Sequence, residues 1–191
     1  MGRTQKTLRG RLFIGGLVAA IAVVGFGLYW FQPWKLWQDK TVDEALPGVV
    51  AGSVPPAAAP SATGSAATDS AAAGPRTLAS GELLSHEHAT SGTVKLVRLA
   101  DGAHVVRIED LDTSNGPDLR VWLTDAPVKE GRDGWRVFDD GKYVSLGKLK
   151  GNKGSQNYTV PEDVDLSRYT SVSIWCDRFD VSFGAAELAR A

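Results

Sequence analysis

The chain has 191 residues, of which 43% are hydrophobic and 23% charged, with a net charge of −1 and a single cysteine. This composition is that of a folded protein rather than a disordered or collagenous one. A lone cysteine excludes a disulfide framework within the chain, and the balanced charge gives no electrostatic footprint for nucleic acid.

The first predicted element is a membrane span. Residues 1–11 form a basic tail carrying Arg3, Lys6, Arg9 and Arg11, and residues 12–31, "LFIGGLVAAIAVVGFGLYWF", contain no charge. Twenty apolar residues match the roughly 20 a helix needs to cross a bilayer core. A cleaved secretory signal is the rival, but the run is longer than the usual core of one and no small-x-small site follows closely. A lipoprotein is excluded, since the cysteine it would need stands at 176. Tyr29, Trp30, Trp34 and Trp37 fall where aromatic rings anchor at the membrane interface. Only Lys35 and Lys40 follow closely, diluted by Asp39, Asp43 and Glu44, so the positive-inside rule places the N-terminus in the cytoplasm and the rest outside it.

Residues 32–52 form a juxtamembrane segment. Within it "TVDEALPGVV", Thr41 to Val50, has no firm physical account from sequence; a juxtamembrane cap and a partner contact both suit it. Residues 53–75 are nearly all Ala, Pro, Ser, Thr and Gly, with too little apolar bulk to offset the entropy of ordering them, and read as a disordered linker. Stretched in polyproline form this linker reaches roughly 70 Å, enough to hold a domain clear of the membrane.

Residues 76–191 read as one domain, with 15 Lys and Arg against 18 Asp and Glu. Its hydrophobic period is two. "TVKLVRL" (93–99), "HVVRIEDL" (104–111), "LRVWLT" (119–124), "YVSLGKL" (143–149), "QNYTV" (156–160), "SVSIWC" (171–176) and "FDVSF" (179–183) are expected strands. Asp101-Gly102, Asn115-Gly116-Pro117, Asp133-Gly134, Asp140-Gly141 and Gly151-Asn152 supply turn chemistry between them. One helical turn is expected in "DVDLSRY", 163–169. Seven or eight such strands imply an all-β fold, an antiparallel sandwich or barrel-like domain.

Three stretches invite a chemical reading. "HEH", His86 to His88, would project both imidazoles from one side of a strand toward zinc or copper, against the plainer reading of a polar edge strand. The acidic run "EDLDTSNGPD", 109–118, fails as a calcium loop, since Asn115 stands where the glycine belongs and Val121 where the glutamate does. A turn built on Asn115, Gly116, Pro117 and Asp118 accounts for it better, and that loop is a candidate recognition surface. Cys176 is the third. Strand parity puts it with Val172 and Ile174 on the apolar face and Trp175 with Ser171 and Ser173 on the polar one. A buried cysteine is ordinarily an inert core side chain, whereas an exported unpaired one implies an intermolecular bond or a reactive thiol unless it is shielded. Arg178 favours a thiolate and Asp177 opposes it.

"SGTVKL" (91–96), "LDTSNGPDLRVWLT" (111–124), "LGKLKGNKGSQNYTVP" (146–161) and "YTSVSIWCDRFDVSFGAAEL" (169–188) together resemble the DM-thirteen domain, a small module often found beside DOMON domains and described as an electron-transfer domain. The resemblance implies that Cys176 is a redox thiol, with Trp175 and Tyr169 as neighbours for a relay. It also implies a haem carried on a separate partner protein, since this chain has no DOMON domain and no motif for a bound cofactor. The competing expectation is a binding or scaffold sandwich in which Cys176 is core packing. Neither needs an enzyme with a substrate of its own.

Overall fold

A computed structural model describes residues 2–48 and 74–191. Most of the 53–75 linker therefore lies outside the described residues. The chain begins with helix α1, Gly2–Phe31, which runs through the basic tail as well as the apolar run. Phe13–Phe31 is long and apolar enough to cross a membrane, and none of it is buried against the rest of the protein. It is apolar on every side, as a helix seated in lipid requires.

The β strands follow as β1 (Thr41–Asp43), β2 (Arg76–Glu82), β3 (Leu84–Ser85), β4 (Ser91–Arg98), β5 (His104–Asp112) and β6 (Leu119–Thr124). After them come β7 (Tyr143–Lys148), β8 (Lys153–Val160), β9 (Ser171–Cys176), β10 (Val181–Glu187) and β11 (Ala189–Arg190). They form two sheets, β1-β8-β5-β4-β2-β11 and β3-β10-β9-β6-β7, antiparallel throughout except for the β1–β8 pair. The fold is a sandwich, not a closed barrel. The expected turn near 163–169 is a 3-10 helix, Leu166–Arg168, whose first amides are capped by Asp165.

Alternation explains the main core. Val94 and Leu96 of β4 and Val106 and Ile108 of β5 meet Val121 and Leu123 of β6 and Val172, Ile174 and Cys176 of β9 between the sheets. A second, smaller core lies on the outer face of the second sheet. There Trp122 and Trp175 pack with Phe138, Ala126 and Ala185, beneath the segment that joins β6 to β7. The face of β9 expected to be polar is thus covered. Its serines are satisfied inside: the Ser171 hydroxyl donates to the Ala126 carbonyl at 2.6 Å, and Ser173 and Ser182 hydroxyls lie 3.0 Å apart.

The segment without a sequence account supplies β1. Thr41, Val42 and Asp43 pair with Lys153, Gly154 and Ser155, adding a parallel edge strand to the first sheet. Two glycines make room for it. A Cβ at Gly151 would stand 2.4 Å from the Lys40 carbonyl oxygen, and one at Gly154, where φ is +90°, 2.4 Å from that of Val42. Glu44 then receives the Lys150 ammonium and the Asn157 amide, and Lys150 holds its carboxyl below the ordinary value. The chain leaving α1 is therefore folded onto the sandwich before the linker begins.

Candidate functional site

Cys176 is the last residue of β9, opposite Leu119 of β6 and Val181 of β10. Its sulfur side of the strand faces the main core, and the residue is 0% exposed. Burial raises the thiol above its ordinary pKa. The nearby backbone amides of Arg178, Phe179 and Asp118 work against that rise, while the Glu87 carboxylate adds to it. The result is a protonated, shielded thiol at the end of a strand.

The neighbouring charges are engaged elsewhere. Asp177 pairs with Arg120 at 3.2 Å, and the Arg178 guanidinium donates to the Trp30 carbonyl at 2.7 Å while lying over the Trp30 ring. It thereby satisfies a carbonyl at the C-terminal end of α1, where a cation is electrostatically favoured. Phe179 stacks on Phe31 at 5.6 Å. The turn after Cys176 is thus the surface that meets the end of the apolar helix.

A cavity of about 290 Å³ lies at this seam, walled by Phe31, Pro33 and Leu36 on one side and Gly116, Phe179 and Phe183 on the other. Phe183 also belongs to the main core that contains Cys176, and Phe179 packs against that core, so the same two rings wall the cavity and border the core.

The two histidines of "HEH" occupy a bend, not a strand, and their rings diverge. His88 stacks on Phe183 at 3.9 Å beside the cavity. His86 is buried against Phe138; its Nε2 lies 3.1 Å from the Lys129 carbonyl and its Nδ1 2.8 Å from Ser182 Oγ. A carbonyl only accepts, so in the neutral ring Nε2 carries the hydrogen and Ser182 donates to Nδ1. His104 begins β5, paired with Arg98 and Val160, away from both. Among the described residues no three His, Cys, Asp or Glu side chains gather as metal ligands.

Desolvation lowers the His86 pKa from its ordinary 6.5. The unfolded chain takes up the proton first, so the neutral ring's contribution to stability is whole above pH 6.5 and is lost as the pH falls below it. Denaturation between about pH 7.5 and pH 5 is expected to show stability declining with acid, and His86→Gln to flatten that decline. Equal slopes in both proteins would show that His86 does not titrate with unfolding.

The expected recognition loop is held by the chain itself. Asn115 Nδ2 donates to the Gln38 carbonyl at 3.1 Å, the Lys35 ammonium to the Pro117 carbonyl at 3.3 Å, and Asp118 pairs with Arg120 and Lys148. Gly116 lies against Leu119 and Phe183. These four residues join the seam, where with Lys35, Lys40 and residues 148–152 they line a second cavity of about 210 Å³.

Of the two expected relay aromatics, Trp175 and Tyr169, the structure places only Trp175 in an aromatic stack. Trp175 lies 4.9 Å from Trp122, which lies 3.8 Å from Tyr143, while Tyr169 packs against the main core. Trp122 and Tyr143 escaped the sequence reading. Their signal was present in the alternation of "LRVWLT" and "YVSLGKL", but strand register was needed to set them side by side.

No curated protein and no solved structure matches the chain. A family model described as electron transfer DM13 matches residues 82–188, more than half of the sequence, and covers strands β3 to β10, the seam loop and Cys176. The chain belongs to the DM13 electron-transfer family.

Proposed function

We propose that the protein is a single-pass, membrane-tethered electron-transfer module whose sandwich lies outside the cytoplasm and whose redox group is Cys176. The membership in an electron-transfer family supports the activity, and the basic residues ahead of an apolar helix support the tether and its direction. The functional unit in this reading is the sandwich together with residues 32–48, which pin it to the end of the helix.

The observation that carries the cysteine's role is its setting: a sole thiol, fully shielded, at the end of a strand. Shielding blocks the contact that a mixed disulfide or a sulfenic acid requires, because sulfur must then meet another sulfur or a peroxide directly. Electron loss needs no such contact. Cys176 accordingly gives up one electron and its thiol proton; the proton passes to water and the electron to a one-electron carrier on a separate protein, for which a haem is the group the family resemblance implies.

Titrating the reduced, folded protein with a one-electron oxidant such as hexachloroiridate, then counting thiols with a maleimide under denaturing conditions, tests this. The thiol is expected to disappear in step with oxidant while refusing maleimide in the native state. An undiminished thiol count would reduce Cys176 to core packing.

A further inference from the structure

The second core contains an ordered row of oxidisable rings. Tyr143 on β7, Trp122 on β6 and Trp175 on β9 lie on the same face of three adjacent strands. The registers explain the row. Thr124 pairs with Tyr143 and Trp122 with Ser145, while Arg120 pairs with Trp175 and Trp122 with Ser173, so each aromatic is the diagonal neighbour of the next. Tyr143 and Trp122 are stacked nearly parallel, 3.8 Å apart and inclined by 6°, and Trp122 and Trp175 are 4.9 Å apart and inclined by 23°.

Exposure grades along the row. Trp175 is 1% exposed, Trp122 3% and Tyr143 44%, so the stack leads from the residue beside Cys176 to solvent at the open edge of the sheet. Among the described residues the buried indole N–H of Trp122 has no hydrogen-bond partner. Packing alone would favour giving that donor a partner, since an unpaired buried N–H costs about 1–3 kcal/mol. For electron movement the same feature is useful: an indole that has lost an electron is a strong acid, and with no acceptor in reach it keeps its proton and remains ready to be reduced again.

The geometry points to a one-electron relay through Trp175, Trp122 and Tyr143, with Tyr143 as the surface port at which a partner's one-electron carrier takes the electron. In the forward direction the oxidised carrier at the β7 edge gains one electron from Tyr143, whose phenolic proton passes to water. Trp122 then reduces the tyrosyl radical, which regains a proton from water, and Trp175 reduces the Trp122 radical cation. The electron that refills Trp175 comes from the Cys176 thiol, whose proton passes to water. The net change is one electron from the chain to the carrier. This relay rests on electron transfer as the domain's activity, and only its last step rests on Cys176.

Pulse radiolysis of the full chain with azide radical, which oxidises tryptophan first, reads the coupling of Trp122 and Tyr143 in the reverse direction, as an intramolecular conversion of tryptophanyl to tyrosyl radical. A conversion whose rate does not depend on protein concentration is expected in wild type, lost in Tyr143→Phe, lost or strongly slowed in Trp122→Phe, and retained in Tyr169→Phe. Tyr143→Phe keeps a ring at an exposed position and so preserves the fold, and near-ultraviolet circular dichroism checks Trp122→Phe. Conversion that survives Tyr143→Phe, or that is indifferent to Trp122→Phe in a folded protein, would overturn the relay. Cys176→Ala reports separately: longer-lived aromatic radicals are expected without the thiol, and unchanged lifetimes would sink the role of Cys176 while leaving the stack in place.

Discussion

Trp175→Ala is expected to lower the free energy of unfolding by about 3–5 kcal/mol, the range for emptying a buried aromatic site that cannot collapse. Collapse is prevented on every side. The ring is 1% exposed, stacks on Trp122 and meets Phe138 edge-on at 6.4 Å, and the strand beneath it is the centre of a sheet whose other face is the main core. Chemical denaturation measures the loss, which is a large fraction of the 5–15 kcal/mol typical of a domain. A cost near 1 kcal/mol would mean that the covering segment is loosely held and that the second core is only a cap. Because Cys176 lies on the opposite face, its native resistance to maleimide is expected to persist in this variant as long as it remains folded.

Asn152→Leu is expected to open the clasp between the juxtamembrane segment and the sandwich. Asn152 is 1% exposed; its Oδ1 accepts from the Lys40 amide at 2.7 Å, and its Nδ2 donates to the Thr113 carbonyl and to Asp39, each at 2.8 Å. Leucine fills the space and answers none of these groups, at about 1–3 kcal/mol for each buried one left without a partner. Beyond the fall in stability, limited proteolysis is expected to cut between residues 38 and 48 faster than in wild type, because β1 is a three-residue edge strand and the Lys40 amide beside it has lost its acceptor. Unchanged proteolysis would show that the Glu44 contacts with Lys150 and Asn157 hold the segment by themselves.

Strand alternation was legible wherever bulky apolar residues recur at every second position, as in β4, β5, β6 and β9. β2, "RTLASGE", carries small residues and a register shift between Thr77 and Ala79, so its period is broken and its pairing with β4 and β11 came only with the fold. β1 was equally silent. Three residues have no period, and what makes them a strand is the bare backbone offered by Gly151 and Gly154 more than a hundred positions later.

At the site, the sequence by itself determined the composition and the parity: one thiol, placed inward, with a tryptophan on the opposite face of the same strand, because side chains alternate along a strand whatever surrounds it. Tertiary structure decided what each face meets. The face expected to be polar is sealed by the segment between β6 and β7, which turns serines and tryptophans into a second core. Arg178, one candidate for tuning the thiol, reaches instead for the carbonyls at the end of α1. Such pairings depend on which distant backbone groups arrive unsatisfied at the same place, and local periodicity carries no record of them. The stack of Tyr143, Trp122 and Trp175 follows the same logic: three unremarkable aromatics in three strands become a connected path only when hydrogen-bond register places them on one diagonal.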